Sequence, residues 1–213
     1  EPLTPYTLPR AEMKIPGADY RPADYVHWLK IGYETIKKAD PHCFVIGGMQ
    51  ARPMAYAREF IEAGGLKWVD IYSIHPYLYP HPPENLIAEM RGLLELMAGS
   101  PEGRRPIWMT EGANFGSDDK PWTPWVKPKD LTGLYGAEWE RDSEKQASDY
   151  NIRQSLILLA HGVTKVVMHM AAEGEVNNGA PAMNCPWLGE LGTPRKYYAA
   201  QAALADLLGP APR

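Results

Sequence analysis

Three short apolar runs in this chain end in side chains able to move protons or attack an electrophile. P-I-W-M-T-E-G (residues 106–112) carries Ile107, Trp108, Met109 and Thr110 and then Glu111. D-I-Y-S-I-H-P-Y (70–77) ends in His75 and Tyr77 about a proline, and K-V-V-M-H-M (165–170) holds His169. Strands of a parallel sheet are apolar on both faces, and their C-terminal ends open onto the ligand side of an α/β fold. A carboxylate there is either a mouth residue facing water or a group set to act as nucleophile, acid or base. A phenol such as Tyr77 can hydrogen-bond to such a carboxylate and orient it. His75 taken alone is more often a satisfied core histidine than a ligand. No H-E-x-x-H or similar spacing links the six His, so neither a metal nor a cofactor is expected.

The elements that would position these groups alternate along the chain. Val26, Leu29, Tyr33 and Ile36 make one face of a helix over 22–40. F-V-I-G-G (44–48) reads as a strand, and a helix over roughly 52–63 follows, with Tyr56 and Phe60 on one face and Gly64-Gly65 as its stop. The His75 strand spans about 68–77. Leu86, Met90, Leu93, Leu94 and Met97 form a third helical face, ahead of the Glu111 strand. A long loop, about 115 to 141, contains Trp122, Trp125 and Trp139. Ser143 with Gln146 forms a capping-box pattern before a helix that should turn Ile152, Leu156 and Leu159 inward. After the strand at 165–170, a last helix places Tyr197, Leu204, Leu207 and Leu208 together. Helix, then strand–helix four times, predicts an α/β fold with a parallel sheet and right-handed crossovers.

Composition bounds what such a fold can do. The chain has 213 residues, 45% hydrophobic, with seven Trp, twelve Tyr and a formal net charge of −4. That suffices for one large domain, and no stretch is long and apolar enough to span a membrane. Mild acidity without a Lys/Arg cluster argues against a nucleic-acid surface. Two cysteines, Cys43 and Cys185, make no disulfide framework, and whether they pair stays open. The chain begins at Glu1-Pro2 without a visible signal peptide, as though an earlier part had been removed or lies elsewhere. Four strands cannot close an eightfold barrel, which needs roughly 250 residues. The sheet is therefore either open or the second half of a barrel.

Taken together, D-I-Y-S-I-H-P-Y, P-I-W-M-T-E-G and G-T-P-R-K-Y-Y-A-A-Q-A-A-L-A-D-L-L-G resemble the C-terminal half of a clan A (β/α)8 glycoside hydrolase, β-xylosidase-like and retaining. The resemblance covers about residues 22 to 209. It implies that residues 1–213 form a single partial catalytic domain, strands 5–8 of a TIM barrel with their helices, the first half being absent from this chain. It further implies that Glu111 is the nucleophile ending the seventh strand and that His75 and Tyr77 are the His-x-Tyr ending the sixth. In the family the acid/base glutamate sits in an Asn-Glu-Pro motif after the fourth strand, which Glu1-Pro2 fits. The family's Trp at the eighth strand is absent from V-V-M-H-M, and His169, Glu173 or Trp187 are the candidate substitutes.

Trp122, Trp125 and Trp139 are candidate stacking platforms for sugar rings, or equally hydrophobic staples. The implied partners are a carbohydrate substrate and either the missing barrel half or a second copy, with no nucleic acid and no membrane. Enzymes of this kind are often exported, which leans toward secretion or the periplasm. Two other readings remain open on sequence: a non-catalytic carbohydrate-binding barrel remnant, and an open-sheet nucleotide- or flavin-binding module. The second lacks a phosphate loop, although Gly47-Gly48 at a strand end keeps it in play.

Overall fold

The computed structural model describes residues 22–50, 54, 56–78, 81–116, 118, 140–141, 143–169, 187–188 and 193–209. They divide into two compact units. One takes the chain up to Pro76, with Leu86–Glu111 and Leu158–Val167; the other takes Tyr77–Asn85, Gly112–Ile157 and the chain from Met168 onward. The elements in order are α1 (Pro22–Ala39), β1 (Ile46–Gln50), α2 (Ala57–Glu62), β2 (Ile71–Ile74), α3 (Asn85–Ala98), β3 (Ile107–Met109), β4 (Phe115–Gly116), β5 (Glu140–Arg141), α4 (Glu144–Ala160), β6 (Val163–Val166) and α5 (Lys196–Leu208).

The first unit is built on a four-stranded sheet in the order β1-β2-β3-β6, parallel throughout. A helix lies between each pair of sheet neighbours along the chain, as the alternating pattern predicted. Element ends differ from the sequence reading for local reasons. Residues 65–68 wind into a 3-10 turn, so β2 begins only at Ile71, and Pro76 has no N–H with which to prolong it. Tyr56 lies outside α2, in the left-handed region with φ 56°, and is exposed rather than sharing a buried face with Phe60. β1 lies two residues later than 44–48, leaving Phe44 70% exposed ahead of it, and β6 starts two residues before 165 and ends four before 170.

Register decides which side chains share a face. Gly48 pairs with Ser73, Ser73 with Trp108, and Trp108 with Lys165, so these four form one row. On the opposite face Tyr72 and Ile74 of β2 and Ile107 and Met109 of β3 are buried. Phe60 from α2 meets Tyr72 edge-on at 5.6 Å, and Tyr25 from α1 packs on Phe60 at 5.9 Å. From α3, Leu86, Met90, Leu93 and Met97 are fully buried, each worth roughly 1.5–3 kcal/mol. At Gly48 the backbone takes φ +104°, and a Cβ would stand 2.9 Å from the Tyr72 ring and 3.0 Å from the Ser73 carbonyl. Only glycine fits there.

A carboxylate fixes α1 to the start of this sheet. Asp70 accepts from the Val45 amide at 2.7 Å and from the Tyr33 hydroxyl at 3.3 Å, and pairs with Lys37 Nζ at 2.8 Å. Burial alone would raise its pKa, but the Lys37 ammonium and these hydrogen bonds outweigh it and hold the carboxyl below its ordinary value. A group with a depressed folded pKa contributes stability above its unfolded pKa and loses it as pH falls through the folded value. Asp70→Asn should therefore cost about 1–2 kcal/mol at neutral pH. The gap to wild type should begin to narrow as pH falls to about 4 and should close once pH is below the depressed folded value, because there the wild type loses the same charge. Urea midpoints of both proteins from pH 7 to pH 2 check this; a gap independent of pH would remove the ion pair from the account.

In the second unit β4 and β5 pair in parallel. Ser143 caps α4 as its pattern predicted, its Oγ accepting from the Gln146 amide at 3.1 Å. Arg153 clamps Glu84 through two nitrogens, and Lys196 pairs with Asp118. α4 corrects the sequence reading. Leu156 is 41% exposed and Ile152 and Leu159 are half-buried, while the buried stripe runs Ala147, Ser148, Asn151, Gln154, Ser155 and Leu158. The spacing is helical but the stripe is mostly polar. On α5 Tyr197 is buried as expected, whereas Leu207 is 83% exposed.

Candidate active site

Four side chains meet at the C-terminal ends of β2 and β3. Because β2 and β3 are parallel and Ser73 pairs with Trp108, Thr110 falls opposite His75, on the face that also carries Ser73. The Thr110 amide donates to the Ile74 carbonyl at 3.3 Å, carrying the ladder one residue past β3. His75 is buried, and its Nε2 lies 2.9 Å from Thr110 Oγ1. Thr110 Oγ1 is also hydrogen-bonded to Ser73 Oγ. His75 Nδ1 stands 3.8 Å from Glu111 Oε2, an electrostatic contact longer than a hydrogen bond. The Glu111 side chain is 34% exposed, so one side of the carboxylate is open to a reactant while an imidazole stands behind it. Gly112 follows with φ 154°, a backbone state that L side chains rarely adopt, and this lets the chain turn away immediately after the carboxylate.

The sequence identified His75 and Glu111 and passed over Ser73 and Thr110. Their signal was a serine inside a buried apolar strand, two residues before the histidine and so on its face. Tyr77 is the first residue of the second unit and is half-buried. In that unit the His169 amide donates to the Gly112 carbonyl at 3.2 Å, so the chain leaving β6 is tied to the residue after Glu111. Trp187 packs edge-on against Tyr197 at 5.3 Å and Tyr198 at 6.3 Å. Glu1, Trp122, Trp125, Trp139, Glu173 and Cys185 lie outside the described residues. Among those described, no group of three or more His, Cys, Asp or Glu is arranged to hold a metal ion, and no helix is long and apolar enough to cross a membrane.

The loop leaving Glu111 is held by a buried amide lock that the sequence did not reveal. Asn151 Oδ1 accepts from the Asn114 backbone amide at 2.6 Å and from Asn114 Nδ2 at 3.2 Å; Asn151 Nδ2 donates to the Asn114 carbonyl at 3.0 Å. Asn114 Nδ2 also donates to Gln154 Oε1 at 2.7 Å. Asn151 thus imitates a neighbouring strand, which explains why α4 buries amides instead of leucines. Asn151→Ala removes the side-chain partner of the buried Asn114 N–H and C=O, at about 1–3 kcal/mol for each bond lost. The expected loss is about 3 kcal/mol in urea unfolding, with faster hydrogen exchange at the Asn114 amide. Unchanged exchange there would show that the loop is held by something else.

Neither a protein-family model nor a curated protein sequence matches the chain. Solved structures do. A GH2 beta-galacturonidase from Eisenbergiella tayi aligns with a TM-score of 0.63 at 18% identity, covering 90% of this chain and 31% of that one. A GH39 beta-xylosidase from Caulobacter crescentus gives 0.60 at 16%, covering 88% and 38%. The xylanase Xyn10A from Cellvibrio japonicus, a thermostable mutant, gives 0.55 at 9%, covering 83% and 54%. The chain therefore has a mixed α/β fold with a parallel sheet, similar to glycoside hydrolase domains, and spans about a third of the length of the first two.

Proposed function

We propose that this chain is part of a retaining β-glycoside hydrolase in which Glu111 is the nucleophile. The observation that carries the reading is the placement of Glu111: a part-exposed carboxylate at the C-terminal end of β3, backed by His75 from the adjacent strand, in a sheet with glycoside-hydrolase likeness. The consecutive, parallel order β1-β2-β3-β6 supports reading these strands as the fifth to eighth of an eightfold barrel. The neighbours' names, β-galacturonidase and β-xylosidase, favour a β-linked substrate.

Retaining hydrolysis uses two carboxyl groups about 5–5.5 Å apart. Glu111 attacks the anomeric carbon, and the bond to the leaving oxygen breaks as that oxygen takes a proton from the acid/base. The sequence motif assigns this second role to Glu1. Water, giving its proton back to that group, then attacks the same carbon and releases Glu111 as a carboxylate. The sequence reading assigns Tyr77 the hydrogen bond that orients Glu111, and takes Trp122, Trp125, Trp139, His169 and Trp187 as the candidate sugar contacts.

The test is covalent trapping in the full polypeptide that carries these residues. A 2-deoxy-2-fluoro-β-glycoside with a good leaving group should add one sugar mass to the peptide containing Glu111. A label on another residue would remove Glu111 from the role. Turnover of β-glycosides with inversion would remove the double displacement.

A further inference from the structure

We infer that Ser73 and Thr110 form a hydroxyl relay that fixes the tautomer of His75, so that a neutral imidazole presents Nδ1–H to Glu111. The inference rests on the proposed nucleophilic role of Glu111 and adds the groups that align it.

Ser73 is fully buried, and Thr110 is the one hydrogen-bond partner of its hydroxyl among the described residues. If Thr110 donated to Ser73, the Ser73 proton would be left unsatisfied in the interior, at a cost that buried hydroxyls rarely bear. Ser73 therefore donates, and Thr110 accepts. The single proton of Thr110 is then free to point along its other contact, to His75 Nε2 at 2.9 Å. A ring nitrogen that accepts carries no proton, so the proton of a neutral imidazole sits on Nδ1. Nδ1 is the atom that faces Glu111 Oε2 at 3.8 Å.

In this order each of these three contacts sets a donor against an acceptor. The reverse order puts the Nδ1 lone pair toward a carboxylate oxygen, acceptor against acceptor. A doubly protonated ring would also face Glu111 with N–H, but it places a full charge on a buried side chain. The relay gives the carboxylate a polar donor without a cation that would blunt its attack on carbon. Ser73, Thr110 and His75 are positioning residues in this scheme; Glu111 alone touches the reacting carbon.

Long-range 1H–15N correlation of the His75 ring in the full polypeptide reads the tautomer directly, without any substrate. Wild type should show protonated Nδ1 and unprotonated Nε2 at neutral pH. Thr110→Val should abolish that pattern, lower kcat by about tenfold with KM within about twofold, and move the acidic limb of the kcat–pH profile to higher pH; Thr110→Ser should restore all three. An imidazolium or an Nε2–H ring in wild type would overturn the relay. So would a Thr110→Val enzyme with an unmoved acidic limb. If the wild type hydrolyses no β-glycoside, the functional reading fails and the ring spectrum still decides the relay.

Discussion

Glu111→Gln should lower turnover of an aryl β-glycoside by at least about 10⁴-fold, because an amide has no charge to form the glycosyl–enzyme ester and losing a nucleophile has effects of that order. The side chain is 34% exposed and the amide matches the carboxylate in size, so the melting temperature should stay within a few degrees of wild type. Shape loss and chemistry loss separate cleanly here. Glu111→Ala opens space on the attacking face, and added azide should then restore product formation as the glycosyl azide of inverted configuration. A Gln variant within tenfold of wild type would place the nucleophile elsewhere. Full loss in Glu111→Ala without azide rescue, together with a lowered melting temperature, would make the residue structural.

The alternation of elements was legible because it rests on local spacing. Leu86, Met90, Leu93 and Met97 follow helical period, and all four are buried. His75 and Glu111 were legible because polar groups ending apolar runs stand out. Ser73 and Thr110 were not singled out, because their meeting depends on the β2–β3 register, which links residues 37 apart. α4 misled the apolar criterion for a similar reason. What Asn151 and Gln154 bury against is Asn114, far back in the chain, so the buried stripe is polar and Leu156 is left outside. Long-range hydrogen bonds chose the face, and hydropathy cannot report them. The displaced start of β1 follows from contacts too: the Asp70 amide and carboxylate grip Val45, so Phe44 ahead of it stays outside the ladder.

The 213 residues expressed by themselves should neither hydrolyse a glycoside nor melt in a sharp cooperative transition. In the four-stranded sheet β1 and β6 each have one strand neighbour among the described residues, and the end strands of a sheet are where further strands pair. In the barrel reading those edges meet strands four and one, and the row Gly48, Ser73, Trp108 and Lys165 faces the interior. Lys165 Nζ stands 4.1 Å over the Trp108 ring, an arrangement that covers one face of the indole with a cation that a closed barrel would have to pair. Leaving about 400 Å² of interior apolar surface without its other half forfeits about 10 kcal/mol at 25 cal/mol per Å². An ordinary domain has only about 5–15 kcal/mol in total. Co-expression with a segment supplying four further strands, or self-association of two copies, should restore a sharp transition. Size-exclusion chromatography with calorimetry decides between them. A monomer of the 213 residues that melts cooperatively and hydrolyses a β-glycoside would show that the sheet needs no other half.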